Sequence, residues 1–118
     1  MVLVIDDESS IRRIIRQTLK SFGYRVVTAN DGPKGISIYA QRQSEIAAVV
    51  TDMMMPNMGG VATISALLRI NPNAKTVVVT GFVTDVQKQA AMAAGATEFL
   101  AKPFTIEKLL STLRSVLH

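Results

Sequence analysis

Ala48-Val49-Val50-Thr51-Asp52-Met53-Met54-Met55-Pro56-Asn57-Met58-Gly59-Gly60 is the stretch on which the fold turns. An apolar run rich in β-branched residues ends in one carboxylate, then turns through a proline and two glycines. Short runs of this kind, closed by turn residues, read as buried parallel strands. Asp52 then stands at a carboxyl strand end, where open α/β sheets place their ligand sites. Alone, such an Asp could equally cap the next turn. Three other stretches give it weight, because Asp6-Asp7-Glu8, Thr80-Gly81 and Lys102-Pro103 also end apolar runs.

On either side of this stretch, strand and helix patterns alternate. A first strand over 2–5 leads to a helix N-capped by Ser9 or Ser10 and running to about Ser21, with Ile11, Ile14, Ile15 and Leu19 inward. Gly23 stops it. A second strand spans 24–29. After the Asn30-Asp31-Gly32 turn, Pro33 suits the first turn of a helix to about Gln43, with Ile36 and Tyr39 inward. The third strand covers 46–51 and the next helix 61–70, with Val61, Ile64, Leu67 and Leu68 at helical spacing. Asn71-Pro72-Asn73 ends that helix, and a fourth strand spans 76–79. Thr84 opens a helix with Gln87 as its capping-box partner and Gly95 at C′. A fifth strand covers 98–101. Thr105 caps a last helix that turns Ile106, Leu109, Leu110, Leu113 and Leu117 inward.

Five βα units without an internal linker predict one domain over 1–118. Its expected form is a three-layer α/β/α, doubly wound (βα)5 fold with a five-stranded parallel sheet in flavodoxin-like order 2-1-3-4-5. In that order the second strand, which ends in Ala29-Asn30, is an edge. The four polar strand ends then lie side by side.

Composition removes several classes of function. There is no cysteine, so disulfides and thiolate metal sites are out. Apolar runs reach only about five residues, against the roughly 20 of a membrane helix. Met1 leads straight into Val2-Leu3-Val4-Ile5 with no basic region ahead of it, so a soluble, cytoplasmic protein without a secretory leader is expected. The net charge of +4 invites a nucleic-acid reading. Arg12, Arg16 and Lys20 do form one helical stripe, but no aromatic is interleaved with it. A solvated face explains the stripe, and direct nucleic-acid binding is not expected.

Carboxylates crowded at one sheet edge repel, and a cation relieves them. Oxygen donors with room for waters suit Mg²⁺ (or Mn²⁺). Asp7 and Asp52 are the candidate direct ligands, Asp6 an outer-shell partner, and the Met54 backbone carbonyl a further ligand. Lys102 supplies an ammonium for Asp52 or for a phosphoryl oxygen. Thr80 adds a hydroxyl, and Gly81 beside it leaves open space. An aspartate can accept a phosphoryl group as an acyl phosphate, and positioning plus charge neutralisation then supply most of the catalysis. Each feature also has a plainer explanation, as a helix-terminal charge cluster, a turn or a strand end. Their coincidence at matched strand ends favours the site.

As a set, the Asp6-Asp7 pair, Asp52 in Asp-Met-Met-Met-Pro-Asn-Met-Gly-Gly, Thr80-Gly81 and Lys102-Pro103-Phe104 resemble the receiver domains of bacterial two-component response regulators. The resemblance covers the whole chain. It implies that Asp52 is phosphorylated by a histidine kinase or histidine phosphotransfer protein, with Mg²⁺ at Asp7 and Asp52 and Asp6 assisting. It implies that Lys102 and Thr80 contact the phosphoryl group and that the Lys102–Pro103 bond is cis. Thr80 and the fifth-strand aromatic, here Phe99, would act as the switch that signals to an output domain or downstream partner. Phe99 has no hydroxyl, so only packing remains to it. The first helix would dock the phosphodonor, and a phosphorylation-dependent dimer stays open. The domain would be no enzyme beyond promoting its own phosphorylation and dephosphorylation.

Departures from the family pattern carry expectations of their own. Gly59 stands where an acidic or amide residue is common, which should loosen the turn after Asp52. Met54 and Phe82 flank the path of an attacking water and cannot orient it, so the phosphorylated form is expected to hydrolyse slowly. His118 lies outside every motif, so the phosphoryl group is expected to arrive from outside the chain. Two rivals remain at this level. A phosphatase-type hydrolase with an aspartyl nucleophile would need a second acid two residues on, where Met54 stands. A flavodoxin-like cofactor binder would have to place phosphate against Asp6-Asp7-Glu8.

Overall fold

The sheet is parallel throughout, in the order β2-β1-β3-β4-β5. The computed structural model describes residues 1–81 and 84–117. Among these, β1 (Val2–Ile5), α1 (Ser9–Ser21), β2 (Val26–Ala29), α2 (Gly32–Gln41) and β3 (Ala48–Asp52) form the first half. The second half comprises α3 (Gly60–Ile70), β4 (Thr76–Thr80), α4 (Asp85–Ala93), β5 (Glu98–Ala101) and α5 (Ile106–Leu117). The expected strand order and three-layer arrangement are observed.

Strand alternation divides the core. Val2, Val4, Ala48, Val50, Val77 and Val79 pack with Ile15 and Leu19 of α1 and with Leu109, Leu110, Leu113 and Val116 of α5. Leu3, Ile5 and Val49 face Tyr39 of α2 and Leu67 of α3. Met53, Ile64, Val78, Ala91 and Ala96 make a third cluster under α3 and α4, against which Phe99 packs. With both faces covered, the strands tolerate the continuous apolar runs seen in the sequence.

The helix ends follow local chemistry. Asp31 caps α2 by accepting from the Lys34 N–H at 2.8 Å, and Thr105 Oγ1 accepts from Lys108 at 3.1 Å. Gly23 (φ +90°) and Gly95 (φ +105°) end α1 and α4. In both cases the two residues from the glycine onward donate back into the last turn: Gly23 to Lys20 and Tyr24 to Leu19, Gly95 to Met92 and Ala96 to Ala91. This paired closure needs the left-handed conformation that glycine reaches cheaply.

Several expectations are corrected. Neither Ser9 nor Ser10 caps α1; the helix begins at Ser9 and its N-cap position is Glu8, without a side-chain cap. The Asp6 carboxylate instead accepts the Glu8 N–H at 2.9 Å. Strand β2 starts at Val26, not Tyr24, because the Tyr24 N–H is spent closing α1. The capping box at α4 is half formed: Thr84 Oγ1 accepts the Gln87 N–H at 3.1 Å, but the Gln87 side chain turns away toward Met54. Ile14 and Ile106 were expected inward and are 56% and 50% exposed. Ile106 sits in the first turn of α5, beyond the carboxyl ends of the strands. Ile14 lines a shallow hollow with Ile11, Gly81, Lys102, Pro103 and Phe104.

The turn that carries Asp52 into α3 is tightly built. The Met53 carbonyl accepts the Gly60 N–H at 2.8 Å, and Met58 N–H closes on the Pro56 carbonyl at 2.7 Å over Asn57, whose φ is +69°. A Cβ at Gly60 would meet the Asp52 carbonyl oxygen at 2.7 Å and Met53 Cα at 2.9 Å, both backbone atoms. Gly60→Ala should therefore destabilise the protein by about 1–3 kcal/mol, since rigid backbone must yield. A urea melt checks it, and an unchanged midpoint would mean that the loop relaxes freely.

Candidate functional site

The polar strand ends do converge. Asp6 and Asp7 follow β1, Asp52 ends β3, Thr80 ends β4, and Lys102 follows β5. Carboxylate oxygens of Asp6, Asp7 and Asp52 all lie within 4.8 Å of one another. The Lys102 ammonium donates to Asp52 Oδ1 at 3.5 Å and stands 3.7 Å from Asp6 Oδ2. The Lys102 N–H donates to the Thr80 carbonyl at 2.8 Å, which ties the ammonium-bearing loop to the end of β4. The Lys102–Pro103 peptide is cis, as the resemblance implies.

Burial separates residues that the sequence presents as equals. Asp6 is 2% and Asp52 6% exposed, whereas Asp7 is open to solvent. Burial, then repulsion from Asp6, pushes the Asp52 carboxyl up to about 6, with Lys102 opposing. Burial also raises Asp6, against the Glu8 N–H and Lys102. One ammonium does not neutralise three carboxylates. Such a cluster of hard oxygen donors, half open to water, fits a divalent cation of the Mg²⁺ type.

A carboxyl whose folded pKa is raised binds protons more tightly in the folded state. Its stabilising contribution is complete below about pH 4 and is lost as pH rises through about 6. With divalent cations chelated, the protein should gain about 1 kcal/mol in stability between pH 7.5 and pH 5. Urea unfolding across that range measures it, and a flat or opposite slope would show that the carboxylates are not destabilising.

The remaining expected residues take definite places. Thr80 is buried at the end of β4, paired in register with Ala101. Gly81 is exposed, and among the described residues a Cβ there would meet only the Lys102 side chain, Cβ at 3.8 Å and Cδ at 4.0 Å, both ordinary contacts. Gly59 has an ordinary φ of −74° and occupies the N-cap of α3 without a side chain to bond. Met54 is 65% exposed in the loop after Asp52. Phe99 packs on the Val78 and Met53 side of the sheet, two strands from Asp52. Phe82 and His118 lie outside the described residues.

Sequence reasoning missed two residues. Arg12, taken as part of a solvated stripe, donates from Nη1 to the Asp6 carbonyl at 2.6 Å and so braces the loop carrying both acids. Gln87 reaches Met54 instead of its helix cap. Its capping-box position drew attention but pointed the wrong way.

A parallel doubly wound sheet with an acidic triad, a facing ammonium and a buried strand-end hydroxyl defines a phosphoacceptor signalling domain. The family model described as the response regulator receiver domain matches residues 2–114, and the chain belongs to that family. The response regulator MprA of Mycobacterium sp. (strain KMS) is 33% identical over 117 residues, covering 99% of this chain and 50% of the relative. The chain thus spans about half the length of the curated relatives it matches. Chemotaxis protein CheY4 of Vibrio cholerae superposes with TM-score 0.91 at 34% identity, covering 98% of this chain and 97% of that one. CheY in the CheX–CheY–BeF3–Mg²⁺ complex of Borrelia burgdorferi superposes with TM-score 0.94 at 26% identity, covering 99% and 88%. The chain is a two-component receiver, and the phosphatase alternative gains no support. No helix among the described residues is long and apolar enough to cross a membrane.

Proposed function

We propose that Asp52 is the phosphoacceptor, taking its phosphoryl group from a phosphohistidine of a histidine kinase or histidine phosphotransfer protein. The observation that carries this is the Asp6, Asp7 and Asp52 cluster, within 4.8 Å, faced by the Lys102 ammonium 3.5 Å from Asp52. An Asp52 oxygen attacks phosphorus, the P–N bond breaks, and the imidazole departs with its electron pair. Lys102 holds one phosphoryl oxygen, and Thr80 donates its hydroxyl to another. Asp7, Asp52 and the Met54 carbonyl would hold Mg²⁺ (or Mn²⁺), with Asp6 in the outer shell; the cation supplies neutralisation of the equatorial oxygens.

Phosphorylation adds charge where carboxylates are already crowded. Thr80 and Phe99 then carry the change toward α4 and β5, the surface that would regulate an output domain or downstream protein. The domain works in the cytoplasm as a switch, with no turnover beyond its own phosphorylation and dephosphorylation. The α1 stripe of Arg12, Arg16 and Lys20 receives the phosphodonor, and a phosphorylation-dependent dimer is compatible with this scheme. Residues 1–118 act as one receiver unit.

Incubation with acetyl phosphate should add one phosphoryl mass, with Mg²⁺ and not in chelator, as read by intact mass spectrometry. Uptake that ignores the cation would remove the acidic triad from the mechanism.

A further inference from the structure

Three methionines follow Asp52 directly, and they are not equivalent. Met53 is 5% exposed and part of the core, whereas Met54 is 65% exposed. The Met54 sulfur lies 4.0 Å from Nε2 of Gln87, in the first turn of α4. Gln87 is poorly served there: its Oε1 is buried and has no hydrogen-bond partner among the described residues. A thioether is a weak acceptor, so the Nε2 contact compensates little.

The two residues stand on either side of the site. Asp52 pairs in register with Val79, so β3 and β4 are neighbours. Met54 lies on the loop leaving β3 at Asp52, and Gln87 on the helix that follows β4 and Thr80. A bond between them crosses the opening between those two strand ends.

We propose that Met54 is a reversible oxidation site whose sulfoxide oxygen accepts a hydrogen bond from Gln87, strapping the β3–α3 loop to α4 across the mouth of the Asp52 site. The oxidant is hydrogen peroxide. The sulfur lone pair attacks the terminal peroxide oxygen, the O–O bond breaks, an S–O bond forms, and the second oxygen leaves as water after taking a proton. Sulfur is oxidised by two electrons and the peroxide reduced by two. The sulfoxide is polar and enzymatically reducible. An oxygen about 1.5 Å from sulfur and directed at Nε2 falls roughly 2.5–3 Å from that nitrogen, hydrogen-bonding range. Met92, 47% exposed in the last turn of α4, is the internal control for plain surface oxidation.

The functional consequence rests on Asp52 being the acceptor proposed above. Strapping the loop narrows entry to the carboxylate and slows phosphoryl uptake by roughly three- to tenfold, the factor one hydrogen bond supplies. The test titrates the full chain with hydrogen peroxide and maps each methionine by tandem mass spectrometry. It also follows the Gln87 side-chain amide by NMR and measures uptake from acetyl phosphate. Met54 should oxidise with Met92 and ahead of Met53, and the Gln87 amide protons should shift downfield in step with Met54. Wild-type uptake should fall and recover with methionine sulfoxide reductase. In Gln87→Leu, Met54 should oxidise equally while uptake holds at that variant's untreated rate. Met54 oxidising no faster than Met53, an unmoved Gln87 amide, or an equal fall in Gln87→Leu would each overturn the strap. Absence of uptake in the untreated protein would instead remove the Asp52 assignment, leaving the amide resonance to decide the strap.

Discussion

Asp52→Asn should take up no phosphoryl group from acetyl phosphate, yet melt about 5 °C above wild type at pH 7.5 without divalent cations. The two effects share one cause. The carboxylate that makes Asp52 a nucleophile is buried beside Asp6 and pushed up to about 6 by burial and repulsion, so its ionised form opposes folding. The neutral amide keeps the shape and removes the charge, while Lys102 retains Asp6 at 3.7 Å. A shift from 3.8 to about 6 bounds the gain near 3 kcal/mol, and the open side of the site reduces it to about 1–2 kcal/mol. The advantage should disappear near pH 4, where wild-type Asp52 is itself protonated. Intact mass and thermal melts at both pH values check this. Loss of uptake with loss of stability would point to a damaged fold, and retained uptake would place the acceptor elsewhere.

Lys102→Met should behave in the opposite sense for stability while also impairing uptake. Its ammonium stands 3.5 Å from Asp52 and 3.7 Å from Asp6, and no other ion pair to these carboxylates is found among the described residues. Removing it leaves two buried carboxylates facing each other, at a cost of about 2 kcal/mol near pH 7.5. Acidification should recover most of that cost, because protonated carboxyls need no counter-charge. Uptake should fall about 100-fold, the usual loss when one donor to a developing anion is removed. Mg²⁺ affinity should not fall, since every oxygen donor remains and a competing positive charge is gone. Cation titration, urea melts at two pH values and uptake rates separate these effects. Weakened Mg²⁺ binding would show that Lys102 shapes the acidic cluster rather than serving the phosphoryl group.

Much of this site was readable because backbone rules are local. Asp52, Thr80 and Lys102 each close an apolar run, and right-handed crossovers leave few sheet orders for five βα units. In the expected order the one strand with a bland end is an edge, so the four polar ends lie together. Gly23, Gly95, Thr84 and Thr105 announced their caps for the same reason: the bonds that satisfy a helix end lie within a few residues of it. Ile14 and Ile106 failed because periodicity reports a helix face and not how far the sheet extends beneath it.

Gln87 failed differently. A capping box predicts a side chain from sequence spacing alone, yet a neighbour across the fold redirected it to Met54. Arg12 reads as surface charge until the turn after β1 brings the Asp6 carbonyl within 2.6 Å.

The sequence by itself therefore determined the (βα)5 fold, the sheet order, the family and the residues at the carboxyl edge. Hydrophobic runs, turn residues and chain connectivity encode the fold and the strand ends, while the family follows from the resemblance of the motifs at those ends. Only the tertiary structure decided the inequality within the site: Asp6 buried and paired to Lys102, Asp7 open to water, Asp52 held near the edge of ionisation, and Met54 set against Gln87. Burial and charge coupling depend on every neighbour at once, and neighbours from four different strand ends meet only when the sheet has closed its order.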